Sequence, residues 1–292
     1  MRVRQLFAGL AVAALALGVA GCGGDSSDDA TVDTKASFAA GSTMEKLNSA
    51  QKITIGTKFD QPLFGLKGLS GQPEGFDVEI AKIITGKLGI PADKITWVES
   101  TSKVREEYIE QGKVDLVVAT YTINDKRKTR VDFAGPYYEA GQDIMVKKGD
   151  TSITGPESFK AGDKKVCSVT GSTPAENIKT YLKNAASQLV LFDVYSKCAD
   201  ALKNGQVDAV TTDNVILLGL VDKSKDAFQL LDKPFTKEPY GIGVKKGDTA
   251  FRTFINDTLE AAGKDGSYEK AWKDTAGKVA KSTPTLPTVD RY

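Results

Sequence analysis

Three segments of the chain place charged and hydroxyl side chains where they could hold a small charged molecule. Arg127 follows a predicted buried strand, and arginine offers a rigid planar fork that binds a carboxylate through two hydrogen bonds. On composition alone, however, Asn124 to Arg130 is an exposed charged loop. Asp213 ends another predicted strand, where a carboxylate suits an ammonium group but also suits the N-cap of a following helix.

The third segment, Ser172 to Glu176, is typical of a helix start. We expect Thr173 as the N-cap, Pro174 at the first helical position and Glu176 completing a capping box. A helix N-terminus presents free N–H groups and a partial positive charge, which attract an anion. The segment is therefore a candidate anion-binding element, although a simple cap explains it equally well.

The composition excludes several classes of chemistry. The 292 residues include no histidine, which removes Ser-His-Asp and Cys-His nucleophile arrangements, HExxH zinc sites and histidine pH switches. Three cysteines without a CxxC pair argue against a structural zinc site, and we expect neither a metal nor a cofactor. A net charge of +1 gives no electrostatic footprint for nucleic acid, and 40% hydrophobic with 26% charged residues indicates a soluble globular protein.

The elements that position these residues alternate between apolar strands and helices. Strands at Lys52 to Thr57 and Val114 to Ala119 flank a helix from Gly75 to Gly89, and a comparable order follows between Lys165 and Asn214. Continuous apolar strands that alternate with helices indicate an α/β fold with parallel sheets covered on both faces.

An internal echo indicates two lobes of this type. Glu110 to Val117 (EQGKVDLV) recurs 93 residues later as Lys203 to Val210 (KNGQVDAV), each with a helix end, a glycine and a Val-Asp pair that starts a strand. Ligands of open α/β sheets bind beyond the carboxyl ends of the strands, so two such lobes would share one cleft. Because helix–Gly–strand junctions are common, an accidental match is the alternative.

The first residues are typical of an exported protein. Two arginines precede an apolar run of fifteen residues, Leu6 to Ala20, which is short for a membrane span of about 20 residues but right for a signal peptide. The small residues before Cys22 resemble the lipobox of bacterial lipoproteins, which implies that residues 1–21 are removed and that the Cys22 sulfur carries a diacylglycerol. An ordinary secretory signal with an incidental cysteine is the alternative. Residues 22–50, rich in Gly, Ser and Asp, predict a flexible tether, and cleavage changes the net charge to −1.

Longer motifs resemble the extracellular solute-binding proteins of ABC importers. They are IGTKFDQPLFG, GFDVEIAKII and GKVDLVVATYTINDKRKTRVDFAGPYY in the first half of the chain, and CSVTGSTPAENIKTYL and NGQVDAVTTDNVIL in the second. Within that family they are most similar to the polar amino-acid group, and specifically to actinobacterial-type glutamate-binding lipoproteins. The resemblance implies a two-lobe, type II periplasmic-binding-protein-like fold in which the chain crosses twice between the lobes. Lobe 1 would comprise 51–141 and 241–292, and lobe 2 would comprise 142–240.

The resemblance also implies that the protein captures a free amino acid by hinge closure and that the closed form docks on permease subunits. We expect a monomeric, non-enzymatic lipoprotein, anchored to the extracytoplasmic face of the cell membrane, that binds L-glutamate or aspartate. The alternatives are a binder of glutamine or another polar amino acid, and a sensor-type binding protein. An enzyme on the same fold would need a general acid or base, and the predicted cleft offers only Asp213 as an acid.

Individual residues receive roles from the same resemblance. The ligand α-carboxylate is expected at Arg127, Thr122, Ser172 and Thr173. The α-ammonium group is expected at Asp213 and the carbonyl of Thr120. The side-chain carboxylate is expected at Lys58, Arg105 and Thr212, and the two cations favour an acidic ligand over a neutral amide.

The two remaining cysteines, Cys167 and Cys198, most simply form a disulfide in an exported protein, with two buried thiols as the alternative. With Cys22 lipidated, this pair bridged and no histidine present, no pocket group with an ordinary pKa titrates between about pH 5.5 and 8. We therefore expect glutamate affinity to be nearly flat across that range.

Overall fold

The computed structural model describes residues 31–292. The predicted signal peptide, the Cys22 lipidation site and the first part of the predicted tether lie outside the described residues. Within 31–292, no helix is both long enough and apolar enough to span a membrane.

Strands and helices alternate along most of the described part. The strands are β1 (Ile53–Thr57), β2 (Asp60–Gln61), β3 (Gly65–Lys67), β4 (Pro73–Glu74), β5 (Ile95–Glu99), β6 (Leu116–Val117), β7 (Val131–Ala140), β8 (Gln142–Lys147), β9 (Val166–Val169), β10 (Leu189–Phe192), β11 (Ala209–Asp213), β12 (Phe228–Leu230) and β13 (Glu238–Lys245). The α-helices are α1 (Thr43–Ala50), α2 (Phe76–Lys87), α3 (Arg105–Glu110), α4 (Asp125–Lys128), α5 (Thr173–Asn177), α6 (Ala185–Gln188), α7 (Tyr195–Lys203), α8 (Asn214–Lys223), α9 (Thr249–Asp265) and α10 (Ser267–Asp274).

Two five-stranded sheets form the centres of two lobes. Lobe 1 is built on the strand order β5-β1-β6-β13-β7 and lobe 2 on β10-β9-β11-β8-β12, while β2, β3 and β4 form a small separate sheet. The two lobes and their α/β composition agree with the prediction. The expectation of purely parallel sheets is wrong, because β13 and β8 each run antiparallel to both of their neighbours. Each of these strands follows a crossing from the other lobe, and it therefore runs against the strands beside it.

The two crossings between the lobes lie side by side. The first is Gly141, between β7 and β8, and the second is the segment 231–237, between β12 and β13. A Cβ atom on Gly141 would lie 2.7 Å from the Cβ of Pro234, so the two segments can approach this closely only with glycine at 141. Asn214, at the start of α8, donates its backbone N–H to the Gly141 carbonyl at 2.8 Å. The first crossing is thus tied to lobe 2.

The internal echo corresponds to two equivalent junctions. Gly112 after α3 and Gly205 after α7 both adopt left-handed backbone angles, with φ of 65° and 72°. The aspartate three residues after each glycine accepts a backbone hydrogen bond from its own lobe: Asp115 from the N–H of Thr54 in β1, and Asp208 from that of Lys165 just before β9, each at 2.7 Å. The repeated Gly-x-Val-Asp pattern therefore fixes where a helix returns to the sheet in each lobe.

The C-terminal part of the predicted tether is folded. Residues 43–50 form α1, whose N-cap Ser42 accepts a hydrogen bond from the Glu45 N–H at 3.1 Å. Met44 and Leu47 are buried in the core of lobe 1, and the ring of Phe38 meets that of Phe254 edge-on at 5.5 Å. The tether prediction is therefore wrong for 43–50, because a few widely spaced apolar side chains suffice to dock this segment.

Candidate functional site

Polar side chains are buried where the central strands of both lobes end. In lobe 1 they include Thr57 at the end of β1, Lys58 after it and Thr120 after β6, and in lobe 2 they include Thr212 and Asp213 at the end of β11. Several buried polar atoms have no hydrogen-bond partner within the described residues, among them Gln61 Nε2, Arg105 Nε and Asp213 Oδ1. Buried polar groups are normally paired, so unpartnered donors and an unpartnered acceptor between two lobes point to a small polar ligand.

The Arg127 guanidinium lies at the junction of the two lobes. Asn124 caps α4 by accepting the Arg127 N–H at 2.9 Å, and this cap holds the arginine at the end of the preceding polar run. Within lobe 1, its Nη1 donates to the Thr122 carbonyl at 2.7 Å and its Nε lies 3.1 Å from Glu106 Oε1. Across the cleft, Nη1 donates to Thr173 Oγ1 at 2.9 Å. The structure thus brings together three of the four predicted α-carboxylate residues and adds an acid, Glu106, that sequence reasoning missed.

The start of α5 differs from the predicted cap. Ser172, not Thr173, is the N-cap, since Ser172 Oγ accepts the Ala175 N–H at 3.0 Å. Thr173 is the first helical residue, and its hydroxyl oxygen instead accepts a hydrogen bond from Arg127 of lobe 1. Glu176 forms no capping box but accepts two hydrogen bonds from Lys179, each 2.8 Å long. The helix also ends at Asn177, where a 3₁₀ turn follows. The shift by one residue leaves the Thr173 hydroxyl free to contact the other lobe.

Asp213 precedes α8 in the N-cap position but does not cap it. Its side chain makes no hydrogen bond to the helix backbone, and Oδ2 accepts the hydroxyl of Tyr240 at 2.7 Å. Burial, and then the nearby carboxylate of Glu238, raise the pKa of Asp213 to about 7. The plain N-cap interpretation is therefore not what the structure shows, and a carboxylate with one open oxygen faces lobe 1.

Thr120 is held in a backbone conformation that is uncommon for a residue with a Cβ, with φ of 45°. Its N–H donates to Asp77 Oδ2 at 2.7 Å, and its hydroxyl lies 2.9 Å from Gln61 Oε1. Asp77 is fully buried and also accepts the Tyr137 hydroxyl at 2.5 Å, and burial raises its pKa to about 7. Sequence reasoning missed Asp77, because acids are common in the first turn of a helix and Glu79 lies in the same turn.

Lys58 and Arg105 are both buried, with 3% and 2% of their surface exposed. Lys58 Nζ donates to Ser102 Oγ at 3.0 Å, and Arg105 Nη1 donates to the Ala119 carbonyl at 2.9 Å. The Arg105 guanidinium also lies over the ring of Tyr121, 3.9 Å from its centre. Burial, followed by the positive charge of Arg105, lowers the pKa of Lys58 to about 7. Within residues 31–292, neither cation has a carboxylate oxygen within 4 Å, so the pair is suited to an incoming anion.

Arg105 also approaches a residue that was expected at the other end of the ligand. Its Nη1 lies 3.5 Å from the Thr120 carbonyl, which the prediction assigned to the α-ammonium group. The residues expected to bind the side-chain carboxylate and the α-ammonium group of the ligand are thus adjacent on lobe 1. Thr212 is fully buried on lobe 2, and its hydroxyl has no hydrogen-bond partner within the described residues.

Two expectations about acids and titration are wrong. Asp213 is not the only acid near the cleft, since Asp77, Glu106 and Glu238 are buried beside it. The absence of histidine also does not remove titration near neutrality, because burial brings the pKa of Lys58, Asp77 and Asp213 to about 7. Glu238 accepts hydrogen bonds from Asn177 at 3.1 Å and Thr236 at 2.9 Å. Buried acids of this kind cannot be told from exposed ones by residue type alone.

The predicted disulfide is present in lobe 2. Cys167 in β9 and Cys198 in α7 are bonded, with an S–S distance of 2.01 Å and a Cα–Cα distance of 5.5 Å. Both sulfurs lie in the apolar core of that lobe. The bridge fixes α7 against the strand that leads into Ser172.

The lobes are in contact on both sides of the cleft. A Cβ atom on Gly171 of lobe 2 would lie 2.9 Å from the Cα of Lys103 in lobe 1. A Cβ atom on Gly219 in α8 would lie 2.4 Å from the Pro62 carbonyl oxygen of lobe 1. A pocket of ≈ 470 Å³ remains beside Arg127 and is lined from both lobes. The structure therefore shows a closed arrangement in which the site residues of the two lobes face one another.

The chain is similar to proteins of known type along most of its length. Residues 53–275 match the model of a family described as bacterial extracellular solute-binding proteins, family 3. The ABC transporter glutamine-binding protein GlnH of Bacillus subtilis (strain 168) is 42% identical over 270 residues, which are 92% of this chain and 93% of the relative. The glutamate-binding protein GluB of Corynebacterium efficiens is 38% identical over 245 residues, which are 80% of this chain and 82% of the relative. Among solved structures, an ancestral arginine-binding protein bound to arginine matches with a TM-score of 0.71 and 38% identity, covering 77% of this chain and 98% of its own.

Proposed function

The chain belongs to family 3 of the bacterial extracellular solute-binding proteins, and on that premise we propose that it captures a free acidic amino acid, L-glutamate first, and delivers it to an ABC importer. Aspartate is the second acidic candidate. The family binds solutes without converting them, so the expectation of a binding protein rather than an enzyme is confirmed.

The proposal of an acidic ligand rests on one observation, the pair of buried cations Lys58 and Arg105. Burial first, and then repulsion by the positive charge of Arg105, lowers the pKa of Lys58, while the negative charges of Asp60 and Asp77 offset this only in part. A ligand carboxylate placed between them would relieve this repulsion and accept charge-assisted hydrogen bonds. A neutral amide could accept a hydrogen bond there but would not compensate the charge.

For the α-ammonium and α-carboxylate groups of the ligand, we keep the binding residues that were predicted from the sequence. Asp213 Oδ1 and the Thr120 carbonyl would bind the ammonium group, and Arg127 with Thr122, Ser172 and Thr173 would bind the carboxylate. The open oxygen of Asp213 and the burial of Arg127, which is 7% exposed, support these roles. Because Arg127 already donates to Thr173 and Thr122, part of this network must exchange protein partners for the ligand.

Glutamine is the second candidate, since the GlnH relative is named for glutamine binding and shares 42% identity with this chain. Glutamate and glutamine differ only in the group that would face Lys58 and Arg105. Discrimination between them therefore depends on whether both cations are charged.

Isothermal titration of the purified protein with single amino acids tests the proposal. Glutamate should bind more tightly than glutamine, and K58M and R105M should each weaken glutamate binding by about 30-fold or more while changing glutamine binding less. K126M, which removes an exposed cation next to Arg127, is the matched control. If glutamine bound as tightly as glutamate, the proposed preference for glutamate would be wrong. If no amino acid bound, the proposed function itself would be refuted.

We also propose that the mature protein is held at the outer face of the cell membrane by a diacylglycerol on Cys22. The lipobox-like sequence supports this location, and a folded segment from Phe38 onward shortens the flexible part of the leash. Mass spectrometry of the N-terminal peptide should show a lipid-modified Cys22. An unmodified cysteine, or cleavage at another position, would contradict it. Glutamate uptake that depends on the protein would separate transport from a sensor role.

A further inference from the structure

Helix α7 of lobe 2 begins without a capping side chain from its own lobe. Its N-cap is Val194, in an extended conformation with φ of −138°, and a valine side chain cannot accept a hydrogen bond. The first turn contains no acidic residue. The first backbone N–H groups of a helix have no partner within the helix, so α7 depends on another part of the molecule for a cap.

Lobe 1 supplies that cap. Asp60 Oδ2 accepts the backbone N–H of Ser196, the second residue of α7, at 3.2 Å. Asp60 lies in β2, which pairs with β3 in the small sheet of lobe 1, and 136 residues separate it from Ser196. A carboxylate at this position also interacts favourably with the partial positive charge of the helix N-terminus.

We propose that Asp60 is a latch that favours the closed form by capping α7 across the cleft, a role that rests on the hinge closure in the proposed function. When the lobes separate, Asp60 returns to water and the start of α7 loses its only side-chain cap within the described residues. The contact exists only between lobes, so its free energy enters the equilibrium between the open and closed forms rather than the stability of either lobe.

Both partners of the latch are sequence neighbours of residues in the site. Gln61 follows Asp60, and its Oε1 lies 2.9 Å from the Thr120 hydroxyl, with its own Nε2 buried and unpartnered within the described residues. Tyr195 precedes Ser196 and is buried with its hydroxyl among Ser172, Thr212 and Ser168. Forming the cap therefore brings a polar wall of lobe 1 and a polar wall of lobe 2 into register.

Affinity reports the latch because a ligand that requires the closed form binds in proportion to the population of that form. Removing a helix cap corresponds to a change of roughly 2- to 30-fold in an equilibrium constant. D60A should therefore lower the closed fraction and weaken binding of every amino acid that the wild type binds, by this factor. Asp60 also raises the pKa of the nearby Lys58, so D60A alone would change ligand charge recognition as well.

A second variant, V194S, tests the latch without changing the charge near Lys58. A serine at the N-cap gives α7 its own cap in both the open and closed forms, so closure no longer gains one. V194S should weaken binding of glutamate and neutral amino acids alike, and D60A should then have little further effect on the closed fraction. D193A is the matched control, because Asp193 is an exposed carboxylate beside the same helix end but belongs to lobe 2.

The experiment combines small-angle X-ray scattering, which gives the closed fraction with and without added amino acid, with isothermal titration of the same proteins. We expect a lower closed fraction for D60A and V194S, an unchanged one for D193A, and no additivity in the double variant. A closed fraction for D60A equal to that of the wild type, or an effect of D60A that persists in full beside V194S, would overturn the latch. If no amino acid binds the wild type but the scattering results hold, the proposed function fails and the latch stands.

Discussion

The hydroxyl of Tyr240 in lobe 1 donates a 2.7 Å hydrogen bond to Asp213 Oδ2 in lobe 2, and Asp213 Oδ1 has no partner within the described residues. One oxygen of the carboxylate is thus fixed by the strand that re-enters lobe 1, while the other is left for a further donor. The hydroxyl stabilises the ionised carboxylate against its burial, which acts in the opposite direction on the pKa. Asp213 is therefore oriented before any ligand ammonium arrives.

Substitution of Asp213 tests this arrangement. D213N should weaken amino-acid binding by about 100-fold or more, because a buried ligand ammonium would lose its charged partner. Y240F should weaken binding by about tenfold, since the carboxylate loses one donor and its pKa rises further. Isothermal titration at pH 7.5 measures both. Y268F removes another buried tyrosine hydrogen bond, to the Tyr137 carbonyl, and should leave the affinity unchanged. Wild-type affinity in D213N would exclude Asp213 from the ammonium site.

The affinity for glutamate should depend on pH and pass through a maximum near neutrality. The pKa of Asp213 is raised to about 7, so its carboxylate is protonated as the pH falls below 7 and the ammonium loses its partner. The pKa of Lys58 is lowered to about 7, so its charge is lost as the pH rises above 7 and the ligand carboxylate loses its partner. For a neutral amino acid, the affinity should fall only on the acid side, as the pH drops below 7. Titrations from pH 5.5 to 8.5 check this, and an affinity for glutamate that is flat across that range would show that neither group titrates in the site.

The expectation of flat pH dependence shows where sequence reasoning stopped. Residue types gave the ordinary pKa values correctly, but a pKa shift depends on burial and on charges from distant segments. The pKa of Lys58 is lowered by burial and then by Arg105, which lies 47 residues further along the chain. Arg127 is paired with Glu106, and in the sequence Glu106 is only one of several charged residues on a short helix. No local pattern shows that such a carboxylate is buried.

The features that could be predicted are those encoded locally or by repetition. The Gly-x-Val-Asp echo gave two equivalent junctions, and the cysteine count gave the Cys167–Cys198 bridge. The reversed strands β8 and β13 could not be predicted from periodicity, because strand direction is set by the path of the chain between lobes. The docking of α1 depends likewise on an apolar surface formed by α9, far along the chain.

Asp77 should make the stability of the folded protein depend on pH. Its pKa is raised from 3.8 to about 7, so the folded chain binds a proton that the unfolded chain releases between these values. Stability contributed by this group is thus largest at low pH and is lost as the pH rises through 7, by roughly 4 kcal/mol in total. D77N cannot ionise, so the free energy of unfolding of D77N minus that of the wild type should be more positive at pH 8 than at pH 5.

Urea unfolding of both proteins at the two pH values measures this difference. D93N, at an exposed aspartate, is the control and should show no such change relative to the wild type. A difference between D77N and wild type that is the same at pH 5 and pH 8 would mean that Asp77 has an ordinary pKa in the folded protein.

Gly219 should be required for closure rather than for folding. It lies inside α8, where alanine would stabilise the helix by about 0.5–1 kcal/mol relative to glycine. In the closed arrangement, however, the added Cβ would lie 2.4 Å from the Pro62 carbonyl oxygen, which is backbone of the other lobe and cannot rotate away. Overpacking of this kind costs about 1–3 kcal/mol, so G219A should weaken ligand binding by roughly 5- to 150-fold.

The two effects of G219A have opposite signs, which makes the test specific. Thermal unfolding without added amino acid should show equal or higher stability, while scattering shows a smaller closed fraction and titration a weaker affinity. G155A, where an added Cβ would meet nothing within 4 Å, is the control and should bind as the wild type does. If G219A lowered thermal stability and left affinity unchanged, α8 would not approach Pro62 when the ligand is bound, and the closed arrangement described above would not be the one that holds the amino acid.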